Sequence, residues 1–155
     1  ISWVNDYDFF NTYYDSPFNY LTKKKFKDKW DKICNDKNQY KFCIRDKKNL
    51  RPLGFVGYEK LNGKNRNAKF YIGIGSKKDW GKGFAKEIME KFLEYGFHEL
   101  NIRKIFLTVY KNNPSAISIY KHFGFKEEGI LKEHIYKNGN YIDIALMSLF
   151  KKDYF

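Results

Sequence analysis

Cysteine is scarce: the chain has Cys34 and Cys43, and their spacing fits no metal-ligand pattern. No metal site is expected, and two thiols make no disulfide framework, so both are read as reduced in a cytoplasmic protein. No apolar run approaches the length of a membrane span, and no signal-peptide pattern is present, so nothing points to insertion or export. Linkers rich in Pro, Gly or Ser are missing, as are internal repeats and low-complexity tracts. The 155 residues suffice for one cored domain and are too few for two, so 1–155 is read as a single domain. The charge is one-sided, with Lys+Arg 30 against Asp+Glu 18 and a formal net charge of +12. Yet the sequence lacks an arginine cluster or a basic, aromatic-studded strand, so a solvated basic surface is favoured over a nucleic-acid or membrane partner.

What is present is apolar and aromatic, 43% and 20% of the chain, which argues for a packed globular fold. The most structured stretch runs from Ala68 to Leu100. It opens with a strand-like segment ending Ile72-Gly73-Ile74-Gly75, crosses a charged loop, and reaches Trp80-Gly81-Lys82-Gly83-Phe84-Ala85. An amphipathic helix follows: Phe84, Ile88 and Phe92 align on one face beside Met89, Leu93 and Phe97, with Glu87, Glu90, Lys91 and Glu94 opposite. Strand, glycine turn, helix is a layout in which backbone amides at a helix N-terminus can hold an anion. Gly81 and Gly83 clear the approach, and Lys82 and Lys86 add charge. The plain alternative is that these glycines only close a corner. The turn is not the Rossmann fingerprint, because residue 86 is Lys86, and it lacks the G-K-[ST] ending of a nucleotide-triphosphate loop.

A second motif lies some thirty residues on. Lys104 to Tyr110 reads as a strand; Asn113 is a good N-cap, Pro114 a good first helical residue, and Gly124 ends the helix. The string Val109 to Phe125 (VYKNNPSAISIYKHFGF) closely resembles the second coenzyme A segment of the GNAT superfamily of N-acetyltransferases. Trp80 to Ala85 is similar to that family's pyrophosphate loop, with Trp80 where Gln or Arg is common. Gly129 to Leu149 is similar to the closing hairpin of the ribosomal-protein and spermidine acetyltransferase branch, and its Asn138-Gly139 is a type I′ hairpin signal.

The remaining elements read as a helix over Thr22 to Ile33 and strands over Tyr40 to Arg45 and Leu53 to Lys60. Trp3-Val4-Asn5-Asp6 resembles a string found near the end of the family's first helix, which implies that the opening strand and most of that helix are absent here. The chain starting at Ile1 rather than Met agrees with this.

The resemblance implies an α/β fold, a strongly twisted mixed sheet flanked by helices, with strands 68–75 and 104–110 parallel and splayed around acetyl-CoA. It implies that the backbones of Ile72 and Ile74 hold the pantetheine arm. The amides of Trp80, Gly81, Lys82, Gly83, Phe84 and Ala85 would hold the pyrophosphate. It implies direct acetyl transfer to an amine, with Tyr120 as the acid that protonates the departing thiolate; the bland reading of Tyr120 is a core tyrosine. Asn113 is expected near the thioester, or as a helix cap, or both. The general base stays open: Lys69 stands where the branch often has Glu, leaving Glu59, Glu133, His134, Asp143 or water. The acceptor could be a protein N-terminus, an amino sugar nucleotide, a polyamine or another small amine. The net charge weighs against a polycation unless Glu127, Glu128, Glu133 and Asp143 gather into an acidic pocket. A non-catalytic acyl-CoA-binding module is the alternative, with Lys69 as its hint. A homodimer through the aromatic N-terminal region or the closing hairpin is also expected.

Overall fold

In chain order the elements are α1 (Tyr7–Tyr13), α2 (Lys23–Cys34), β1 (Tyr40–Arg45), β2 (Pro52–Asn62), β3 (Asn67–Ile74), a 3₁₀ turn (Lys77–Asp79), α3 (Phe84–His98), β4 (Lys104–Tyr110), α4 (Pro114–His122), β5 (Lys126–Lys137), β6 (Asn140–Phe150) and α5 (Lys151–Tyr154). The computed structural model describes residues 2–16 and 18–154; Ile1, on which part of the reading of the chain's start rests, lies outside them. The strands form one mixed sheet in the order β1-β2-β3-β4-β6-β5. None of the helices among the described residues is long and apolar enough to cross a membrane.

Two compact units divide the chain. The first holds residues 1–59 and 71–88, the second 60–70 and 89–155. In the first, β1 and β2 pair antiparallel from Tyr40↔Tyr58 to Arg45↔Pro52. Leu53, Phe55, Val56 and Tyr58 of β2 are buried with Phe9 and Phe10 of α1. Gly54 is required by proximity, since a Cβ there would collide with the carbonyl oxygen of Gly73. The helix α1 was missed in the sequence. Its start is local chemistry: the Asp6 side chain accepts from the Phe9 amide at 2.9 Å, an N-cap worth about 1 kcal/mol. Asn5 pins the approach to α2, donating to the Leu21 carbonyl at 3.0 Å and accepting from its amide at 2.8 Å. Thr22 caps α2, and Phe26, Trp30 and Ile33 form its half-buried stripe.

In the second unit, Met89, Phe92, Leu93 and Phe97 put the apolar stripe of α3 into the core, each contributing about 1.5–3 kcal/mol by burial. Antiparallel pairing of β4 with β6 runs from Lys104↔Phe150 to Tyr110↔Ile144, and β5 closes on β6 through the Asn138-Gly139 turn. Both turn residues have positive φ (50° and 80°), as a type I′ hairpin requires. Parallel pairing of β3 with β4 covers only Asn67↔Lys104, Ala68↔Ile105 and Lys69↔Phe106.

Candidate functional site

The glycine loop is built by a chain of local constraints. The Trp80 amide donates to the Lys77 carbonyl at 3.1 Å, closing the 3₁₀ turn. Its indole Nε1–H donates back to the Ile74 carbonyl at 2.8 Å. Beneath the loop, Arg51 donates two hydrogen bonds to Asp79, 2.7 Å to Oδ2 and 3.0 Å to Oδ1. Lys82 stands 3.8 Å from the same carboxylate. Asp79 is 2% exposed, covered at short range by these partners near the surface, not deep in the unit. The Arg51 hydrogen bonds hold its carboxyl below the ordinary carboxylate range, against the opposing effect of desolvation.

Gly81 and Gly83 adopt φ of +72° and +84°, a region that costs an L-residue about 1–2 kcal/mol. A Cβ at either would meet nothing within 4 Å. Both are therefore needed for the turn, and their faces lie open to an approaching ligand. The Gly83 carbonyl accepts from the amides of Lys86 and Glu87 at 3.0 and 3.2 Å and starts α3. Among the described residues, the amides of Gly81, Lys82, Gly83, Phe84 and Ala85 donate to no protein acceptor. An exposed helix N-terminus with free amides fits a diphosphate.

In the second unit, Asn113 caps α4, its side chain accepting from the Ala116 amide at 3.1 Å. Tyr120, on α4, lies 5.8 Å from the Phe125 ring. It is densely surrounded yet still partly accessible, and burial pushes its phenol up to about 12. Among the described residues, no hydrogen bond is made to its hydroxyl. The acids of β5 and β6 are largely taken up: Lys104 holds Glu128 at 2.7 Å, Lys111 holds Glu127 at 3.0 Å, and Lys132 holds Asp143 at 2.9 Å. Asp143 also accepts from the Glu133 amide at 2.8 Å, and these contacts, the amide first, lower its pKa.

A cavity of about 320 Å³ lies within the first unit, between α2 and the β1–β2 strands. Its walls include the rings of Trp3, Tyr14, Phe26, Trp30 and Phe55 and the stems of Lys29 and Lys41. A wider hollow of about 670 Å³ on the second unit is lined by Arg103, Lys126 and Lys151, and by no residue of either motif.

Residues 1–126 match the sequence model of the acetyltransferase (GNAT) domain. The chain belongs to the GNAT family. Spermidine N(1)-acetyltransferase of Vibrio cholerae serotype O1 is 32% identical over 151 residues, covering 97% of this chain and 84% of the relative. The Escherichia coli K12 spermidine N(1)-acetyltransferase is 34% identical over 127 residues, covering 82% and 67%. A crystal structure of the Vibrio cholerae enzyme in complex with CoA and spermine superposes with a TM-score of 0.89 at 30% identity, covering 99% of this chain and 88% of that one. The fold is thus that of the GNAT acetyltransferases, and the chain is an acetyl-CoA-dependent N-acetyltransferase.

For this acetyltransferase the sequence singled out the loop and Tyr120, but not what holds the loop. Trp80 was expected to offer its amide to a ligand, and the structure spends that amide on the 3₁₀ turn. The Arg51–Asp79 clamp went unseen because its partners are 28 residues apart; the one available signal was an acid placed immediately before the glycine turn. The condition under which a polycation would fit, an acidic pocket gathered from Glu127, Glu128, Glu133 and Asp143, is not what these residues build, since Lys104, Lys111 and Lys132 neutralise three of them. The aromatic cavity also went unseen, because its rings come from the loop before α1, from α1–α2 and from β2.

Proposed function

We propose that this acetyltransferase acts as one catalytic domain that transfers an acetyl group to the primary amine of a small molecule, with the two coenzyme motifs as its working parts. The observation that carries this is the run of free amides from Gly81 to Ala85 at the start of α3. These amides and the positive helix end bind the pyrophosphate, while Lys82 and Lys86 add charge around it. The backbones of Ile72 and Ile74 bind the pantetheine amides, a role supported by the parallel pairing of β3 ending at Lys69↔Phe106. When bound, acetyl-CoA supplies the thioester that the neutral amine attacks. Tyr120 donates its phenolic proton to the departing sulfur; a phenol held near 12 stays protonated at every working pH. Asn113 orders the start of α4, the helix that carries Tyr120. Asp143 does not serve as base, since Lys132 and the Glu133 amide occupy it.

Thiol release from acetyl-CoA over a panel of amines, with wild type and Tyr120→Phe, tests this. Tyr120→Phe keeps its CoA affinity and loses about 10²–10⁴-fold in kcat, the range of a positioned general acid. An unchanged kcat rejects the acid role. Two smaller assignments accompany this reading. Cys34 and Cys43 are exposed free thiols, which suits a reducing cytoplasm. Tyr136 and Tyr141 pair at 5.1 Å across the closing hairpin while both stay exposed, which suits a homodimer contact that light scattering on Tyr141→Ser would detect.

A further inference from the structure

The cavity of the first unit has an unusual electrostatic make-up. Lys41, on β1, projects its ammonium over the rings of Phe55, Trp30 and Tyr71, at 4.6, 5.3 and 5.5 Å from their centroids. Lys29 lies over Tyr14 at 5.2 Å. Among the described residues, no carboxylate lies within ion-pairing distance of either lysine. Glu59 acts on Lys41 only through space, and Lys29 opposes it; burial is the larger influence and makes the charged form of Lys41 harder to hold. Ring faces attract a cation, but they do not neutralise it. A half-buried ammonium in an aromatic box, next to a second ammonium, is a receptor for negative charge. It repels a polycation.

The second unit gives an independent argument in the same direction. Of the four acids that could gather a polyamine, three are held by a lysine: Glu127 by Lys111, Glu128 by Lys104 and Asp143 by Lys132.

From this cavity we infer that the acceptor is an amine with a planar or apolar body that also carries an anionic group, a carboxylate or a phosphate, received by Lys41 and Lys29. The inference rests on the acetyltransferase reading above and names the acceptor class of that enzyme. The rings take the apolar body and the lysines take the anion, leaving the amine as the nucleophile. Polyamines are disfavoured, in contrast to the spermidine acetyltransferases this chain resembles.

A matched set decides it: tyramine, with no anion; tyrosine, with a carboxylate beside the amine; tyramine O-phosphate, with a phosphate at the far end of the ring; and spermidine. Each is assayed by thiol release from acetyl-CoA and by quenching of tryptophan fluorescence, since Trp3 and Trp30 line the cavity. One or both anionic amines are expected to exceed tyramine about tenfold or more in kcat/KM, the effect of one charge-assisted contact. Which of the two leads tells carboxylate from phosphate. Lys41→Met, which keeps the stem over the rings, is expected to erase that preference with the thermal midpoint near wild type; Lys29→Gln erases part of it. Spermidine preferred over both anionic amines, or a preference that survives Lys41→Met and Lys29→Gln together, overturns the inference. Should no amine be consumed, the catalytic reading fails separately, and fluorescence still decides: tighter binding of an anionic amine than of tyramine supports the inference, and equal binding overturns it.

Discussion

Replacing Gly83 with alanine separates the backbone cost of the glycine loop from its contribution to binding. At φ +84° an L-residue is strained by about 1–2 kcal/mol. No protein atom lies within 4 Å of the added Cβ, so no steric penalty joins that strain. For a chain of this size each kcal/mol lowers Tm by about 2–4 °C, which gives a drop of about 2–8 °C. Gly139→Ala is the matched control: φ is +80°, and its Cβ also meets nothing within 4 Å. Both variants should melt alike. The strain is present with and without ligand and cancels from Kd, so any loss of CoA affinity reports the methyl group standing where the pyrophosphate approaches. Loss of one hydrogen bond to a charged group, about 1.5–3 kcal/mol, weakens Kd about 10–150-fold. Calorimetric titration with CoA on wild type, Gly83→Ala and Gly139→Ala should therefore show one outlier, Gly83→Ala. Equal Kd values in all three would refute the placement of the pyrophosphate, and a Tm loss far larger in Gly83→Ala than in Gly139→Ala would refute the strain argument.

Arg51→Met should lower the urea midpoint and flatten acid sensitivity. Asp79 has a folded pKa below its ordinary 3.8, so its contribution is fully present above that value and fades as pH falls through the lowered one; without Arg51 the depression is lost, so the gap between wild type and variant should narrow in urea melts as pH falls from 7 to 3. Leu93→Ala, at a 0% exposed position of α3, should cost about 2–5 kcal/mol in chemical denaturation. Trp80→Phe keeps a ring but removes the Nε1–H donor to Ile74, a loss of about 0.5–1.5 kcal/mol in the same assay.

The legible parts of this chain were those written in short-range periodicity. Phe26, Trp30 and Ile33 marked α2, the stripe from Phe84 to Phe97 marked α3, Asn113-Pro114 marked the start of α4, and Asn138-Gly139 marked the closing hairpin. Each depends on residues within one or two turns of one another. The helix α1 was lost because Tyr7 to Tyr13 is crowded with rings that read equally as loop or strand; its deciding signal, the Asp6 cap, is one side chain. The clamp under the glycine loop and the aromatic cavity depend on contacts between residues far apart in sequence, which no local pattern carries. Whether Glu127, Glu128, Glu133 and Asp143 gather was likewise open in the sequence, because the lysines that hold three of them, Lys104 of β4, Lys111 just after it and Lys132 of β5, meet them only through the strand pairing.

The Arg51–Asp79 clamp has a kinetic consequence. Arg51 is itself held in the β1–β2 turn, its carbonyl accepting from Asp46 at 2.9 Å and its amide donating to Asn49 at 3.0 Å. The glycine loop is thereby tethered to a hairpin turn before any nucleotide arrives. Ordering a backbone residue costs about 1–2 kcal/mol, and here that entropy is lost during folding and not at each encounter. The incoming coenzyme thus meets a rigid receptor, so its association rate follows diffusion and the attraction of a basic surface, falls with added salt, and shows no slow closing phase.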